Sequence, residues 1–188
     1  SLISGMPEEC LLRLFIVQSV KIADAVHFQG GVLRFFYGLH ALPCIGFRAE
    51  LAGKSINYSG DTFYEPAGLA ALAADGVISA ARLEQLLHHG SVQEADLLLH
   101  EAGIAPIHTP AEALHALPAR IRRNLKIIHI SDDRAKQAGL DKVRPGFEHT
   151  LVLAVDASPH ARATHIMRIL TSTELVRSVD VAPAIEVL

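Results

Sequence analysis

The chain has 188 residues, 50% of them hydrophobic and 20% charged, so it can bury one sizeable core and is not a disordered chain. Its formal net charge of −3 gives no electrostatic case for nucleic acid, and its one basic run, ARIRRNLK at 119–126, reads as a solvated helix end. Cys10 and Cys44 lack metal or disulfide-framework spacing, no apolar run is long enough to span a membrane, and the start SLISGMPEECLLRLF lacks signal-peptide charges; a cytoplasmic setting is the default expectation.

In chain order, RLFIVQSVKI (13–22) is apolar and β-branched and predicts a strand. GGVLRFFYGLHA (30–41) predicts another. CIGFRAELAGKSINYSGD (44–61) holds two runs parted by AGK, the pattern of a β-hairpin. EPAGLAALAADG (65–76) predicts a helix entered at Pro66 and stopped at Gly76, and ISAARLEQLLHHG (78–90) a second with Gly90 as its stop. ADLLLHEAG (95–103) is a buried strand. HTPAEALHALPARIRRN (108–124) is a helix with Thr109 as N-cap, Pro110 first and Glu112 completing a capping box; Pro118 ends or kinks it. LKIIHIS (125–131) and EHTLVLAVDAS (148–158) are the last strands, and the tail 160–188 reads as one or two helices. The sum is an α/β or α+β layered fold.

Four apolar runs end in polar side chains that can do chemistry. RFFYGLH ends in His40, SINYSGD in Asp61, DLLLHE in His100 and Glu101, and LKIIH in His129. Neighbouring strand ends could bring these together at one edge. Imidazole and carboxylate suit zinc, manganese or iron, and a carboxylate can bridge two such ions. Taken singly, each has an ordinary alternative: a histidine at a strand end is commonly a satisfied edge residue, and Asp61 could cap a helix or close an Asx turn. His88 and His89 sit at a helix end and read as capping or dipole partners. His115 is packed or exposed, and His27, His149, His160 and His165 carry no motif.

YSGDT, then HEAGIAPIHTP, then an apolar run ending in HIS occur in the order found in metallo-β-lactamase-fold hydrolases. Residues 30–135 resemble the C-terminal half of that fold, in the branch of tRNA 3′-processing endonucleases (RNase Z-like) and related phosphodiesterases. The resemblance implies part of an αββα sandwich with two metal ions, usually zinc, at one edge. It implies His40, Asp61 and His129 as metal ligands, with Asp61 bridging the ions. His108 would transfer a proton and be oriented by Glu101, and His100 would also stand behind the ligands. The implied reaction is hydrolysis of a phosphodiester in RNA or a cyclic nucleotide.

The family's His-x-His-x-Asp-His loop is absent from this sequence. The expectation is therefore a fragment, residues 1–158 being the C-terminal portion of the domain and 159–188 a helical tail. That tail resembles the entry to a cyclic nucleotide-binding domain. Alone, such a chain is expected to bind metal weakly and to be inactive. Its exposed apolar sheet face would take up the missing half of the fold or form a homodimer. The alternative is a non-catalytic regulatory or interaction module that has lost its metal site.

Overall fold

The computed structural model describes residue 13 and residues 19–22, 24–28 and 30–153. Six strands form one sheet in sequence order: β1 (Ala25–Phe28), β2 (Gly31–Tyr37), β3 (Ile45–Leu51), β4 (Lys54–Tyr58), β5 (Leu97–Glu101) and β6 (Leu125–Ile128). β1, β2 and β3 pair antiparallel, whereas β4, β5 and β6 run parallel. The helices among the described residues after β1 are α1 (Pro66–Ala74), α2 (Ala80–Leu87), α3 (Ala111–His115), α4 (Ala119–Arg122) and α5 (Asp132–Ala138). The α/β expectation is met: parallel neighbours need long crossovers, and α1–α2 and α3–α4 supply them.

Residues 55–143 with those up to Leu51 form one compact unit. The hairpin tip Ala52–Lys54 and the segment from Arg144 onward form another, whose described part includes a 3₁₀ turn over Phe147–His149.

Several local expectations are corrected. Arg13 is helical and residues 19–22 are not strand, so 13–22 is no strand where it is described. The first strand among the described residues begins at Ala25. Residues 147–149 turn and 150–153 have no regular structure, so a strand over 148–158 fails where it is described. The rest of that run and the tail lie outside the described residues. Pro118 does divide 108–124, into α3 and α4. Pro110, not Thr109, is the cap of α3, and no side chain caps it. Gly90 does not stop α2; the helix ends at Leu87 with His88 as its C-cap, and Gly90 begins a 3₁₀ turn. The other helix starts are locally encoded. Glu65 accepts from the N–H groups of Ala67 and Gly68 at 3.2 and 2.5 Å, Ser79 accepts from Arg82 at 3.1 Å, and Ser131 caps α5.

The core lies on one face of the sheet. Leu98, Ala102, Leu125 and Ile127 pack there against Leu114, Leu117 and Ile121 of the α3–α4 crossover and Ala135 of α5. The opposite face is apolar too. The Phe47 and Tyr58 rings meet on it at 5.2 Å, and the registers add Leu33, Phe35, Ile45 and Leu99. No described helix covers this face in the way the core face is covered, and Tyr37, Ile45 and Leu51 are 62%, 49% and 52% exposed.

The β3–β4 link is two residues, Ala52 and Gly53, with φ of +51° and +71°. Positive φ at both positions is the type I′ hairpin turn, which suits Asn-Gly and strains alanine. Ala52→Asn should raise stability by about 0.5–1 kcal/mol in urea unfolding; an unchanged or lower midpoint would contradict the turn assignment.

Candidate metal centre at the strand ends

Strand direction explains why distant residues meet. Because β4, β5 and β6 are parallel, their C-terminal ends share one edge, which in open α/β sheets is where ligands bind. Asp61 follows β4, Glu101 closes β5 and His129 follows β6. β3 returns antiparallel through its hairpin, so the β2–β3 loop, with His40, lies at that edge as well. His108 arrives on the loop between β5 and α3.

The Asp61 turn is built by close approach. Gly60 has φ +63°, and a Cβ there would fall against the Ile45 carbonyl. A Cβ on Gly38 would likewise meet the Asp61 carbonyl. The Asp61 N–H donates to the Cys44 sulfur at 3.1 Å. Ser59, fully buried, donates to the Gly60 carbonyl at 2.6 Å and accepts the Glu101 N–H at 2.9 Å. The loop after β4 is thereby tied to the end of β5.

Glu101 has no solvent exposure. Its Oε1 accepts from Thr109 N–H at 2.9 Å and Thr62 N–H at 3.3 Å. Burial pushes its carboxyl up, opposed by those N–H groups and by His108 and His129. Thr109 completes the clasp: its hydroxyl donates to the Thr62 carbonyl at 2.8 Å and accepts the Tyr64 N–H at 3.0 Å. That long-range use of Thr109 is why it caps no helix. Gly103 lies where a Cβ would strike the His108 side chain.

His129 has φ +58°, a left-handed conformation in which a non-glycine residue is held only by its surroundings. Its Nδ1 lies 3.1 Å from Asp61 Oδ1. The His108 ring is 4.9 Å from that of His129 and 5.2 Å from that of His40. His108 Nδ1 is 3.3 Å from Glu101 Oε2, yet the geometry is too bent for a hydrogen bond. The structure thus brings His40, Asp61, Glu101, His108 and His129 together. It separates His100, which points to the opposite face of β5 from Glu101; there its Nδ1 meets the Glu101 carbonyl at 2.7 Å. His88 and His89 lie outside the cluster, and His89 Nδ1 caps the 3₁₀ turn by accepting the Ser91 N–H at 3.2 Å. His88 Nδ1 lies 3.1 Å from the Glu84 carbonyl, and His89 Nε2 is 2.8 Å from that of Tyr37.

The cluster fits a cation. Two carboxylates face three imidazoles, and His40 Nε2, His108 Nδ1 and Glu101 Oε2 are buried without a hydrogen-bond partner among the described residues. His40 Nδ1 lies 3.3 Å from the Leu42 carbonyl and 3.2 Å from the Leu42 N–H: donating to the carbonyl leaves Nε2 free for metal, whereas accepting the N–H places the ring proton on Nε2. Ser59, Thr62, Thr109 and Cys44 were not foreseen. YSGDT and HTP contain three of them, but only tertiary contacts reveal their roles.

No family model matches the chain. Among curated proteins it is 36% identical over 187 residues to the cGMP-dependent 3′,5′-cGMP phosphodiesterase A of Dictyostelium discoideum, covering 99% of this chain and 21% of that protein. It is 34% identical over 154 residues to the cAMP/cGMP-dependent 3′,5′-cAMP/cGMP phosphodiesterase B of the same organism, covering 82% of this chain and 14% of that protein. The chain therefore spans about a fifth of the first relative and less of the second. Among solved structures it is similar to the metallo-β-lactamase fold protein YhfI of Bacillus subtilis, at TM-score 0.42 and 14% identity, covering 70% of this chain and 53% of the other. It is also similar to the short form of human tRNase Z, at TM-score 0.36 and 20% identity, covering 58% and 39%. The two curated relatives are named as phosphodiesterases, the class of activity that the motifs imply.

Thr109→Val should cost about 2–4 kcal/mol in urea unfolding, because it strands the Tyr64 N–H and the Thr62 carbonyl in a buried clasp; a loss below about 1 kcal/mol would contradict that role. Burial lowers His100 from 6.5 to about 4. The unfolded chain then takes up a proton that the folded chain refuses. Stability from this group is complete above about pH 6.5 and falls as pH drops toward about 4, by about 3 kcal/mol. His100→Asn should flatten that part of the profile; an unaltered difference between pH 7 and pH 4.5 would exclude it.

Proposed function

We propose that this chain is the C-terminal half of the catalytic domain of a metal-dependent, metallo-β-lactamase-fold phosphodiesterase acting on a 3′,5′-cyclic nucleotide. The observation that carries the reading is the convergence of His40, Asp61 and His129 with the Glu101–His108 pair at one sheet edge, in a chain whose relatives are named cyclic nucleotide phosphodiesterases.

His40, Asp61 and His129 would hold metal, zinc being the first candidate and manganese or iron the others, with Asp61 able to touch two ions. Bound there, divalent ions supply a hydroxide nucleophile near neutral pH and neutralise charge on the phosphate. His108 carries the proton. Glu101 Oε2 lies 3.3 Å from its Nδ1, where a carboxylate would hold the protonated ring and leave Nε2 for the leaving oxygen. Leu42, Ile104 and Ile107, exposed beside His40 and His108, offer an apolar rim to the base.

The remaining ligands come, on this reading, from a His-x-His-x-Asp-His segment outside this chain. That segment belongs to a layer seated on the uncovered apolar face, since Glu101 projects from that same face at its rim. Without that layer, a second copy of the chain would cover the face. In protein that carries the segment, His108→Ala should lower kcat for cyclic nucleotide hydrolysis by roughly 10²–10⁴, whereas Asp61→Ala should lose both metal and activity. A fully active Asp61→Ala variant would reject the reading.

A further inference from the structure

The geometry points to a second way of holding an ion, one that needs no segment from elsewhere: Glu101, His108 and His129 form a site for one divalent transition-metal ion within this chain. It goes beyond the assignment of His40, Asp61 and His129, because it makes ligands of the two residues otherwise read as a proton-transfer pair.

One donor atom from each of the three residues lies within 4.8 Å of the other two. Donors about 2.0–2.1 Å from a tetrahedral ion stand roughly 3.3 Å apart. His108 Nδ1 and Glu101 Oε2 already have that separation, 3.3 Å. They do not hydrogen-bond across it, and both are buried and unpartnered. A buried carboxylate oxygen facing an unpartnered imidazole nitrogen at this distance is a pair awaiting a shared third atom. The other Glu101 oxygen is engaged by two backbone N–H groups, which fixes the ligand before any ion arrives. His129 is the one member of the trio more than half exposed, at 53% of its side chain, so it can close over an entering ion. Asp61, 3.1 Å from its Nδ1, adds negative charge at the open side. Two nitrogens and one carboxylate, with a position left for water, suit zinc and cobalt. An ion here takes Glu101 and His108 out of proton transfer, so the two uses exclude each other.

The test is titration of the chain with zinc against a chromophoric chelator, and with cobalt followed by its d–d absorption. One ion should bind per chain. His108→Ala and Glu101→Gln should each weaken binding by roughly tenfold or more and change the cobalt spectrum, while His88→Ala, an exposed imidazole outside the cluster, should alter affinity by less than about twofold. Circular dichroism checks that Glu101→Gln folds. If it does not, His108→Ala decides, since no backbone group depends on that side chain. Absence of binding to the unaltered chain would overturn the inference, as would loss of binding in His40→Ala with retention in His108→Ala. Neither result touches the proposed activity, which is read from hydrolysis by protein carrying the additional ligand segment.

Discussion

A carboxylate with no exposure holds this site together. Burying Glu101 alone would cost several kcal/mol, and the chain offsets that by directing two backbone N–H groups at one of its oxygens. Those donors belong to different loops, Thr62 beyond β4 and Thr109 before α3. Satisfying the buried charge therefore fixes where both loops run, and with them Asp61 and His108. Ser59 and the Thr109 hydroxyl close the same clasp from either side. The second oxygen of Glu101 is left facing His108, so stability and chemistry draw on the two halves of one side chain.

The sheet supplies the larger constraint. Three parallel strands end at a single edge, and the two-residue hairpin returns β3 so that the β2–β3 loop joins them. The helical crossovers that parallel pairing requires build the core on one face only. The other face stays apolar and partly open, with the site at its rim. The uncovered face and the side-chain cluster share one rim, so on the proposed reading a layer covering the first would be placed to complete the second.

Much of the sheet was legible because its signals are local. Apolar runs closed by His, Asp or Glu marked β2, β4, β5 and β6, and AGK marked the hairpin. Pro66 and Pro118 were legible for the same reason, since a fixed φ and a missing N–H act on the chain wherever it goes. What failed depended on distant partners. Thr109 has a perfect capping sequence, yet its hydroxyl is spent across 47 residues on Thr62. His100 and Glu101 are adjacent and look equivalent, but strand alternation sends them to opposite faces. RLFIVQSVKI has strand composition, yet Arg13 is helical and residues 19–22 are not strand, while the residues between them lie outside those described.

On the proposed reading these strand ends are half of a two-metal site to which Asp61 would be a common ligand. Anomalous diffraction at the zinc edge, from crystals of protein that includes this chain and a His-x-His-x-Asp-His segment, tests it most directly. The account predicts two peaks about 3.5–4 Å apart with Asp61 between them and His40 and His129 on either side. Ordered density for Asp61 with no peak within bonding distance of it would contradict the account.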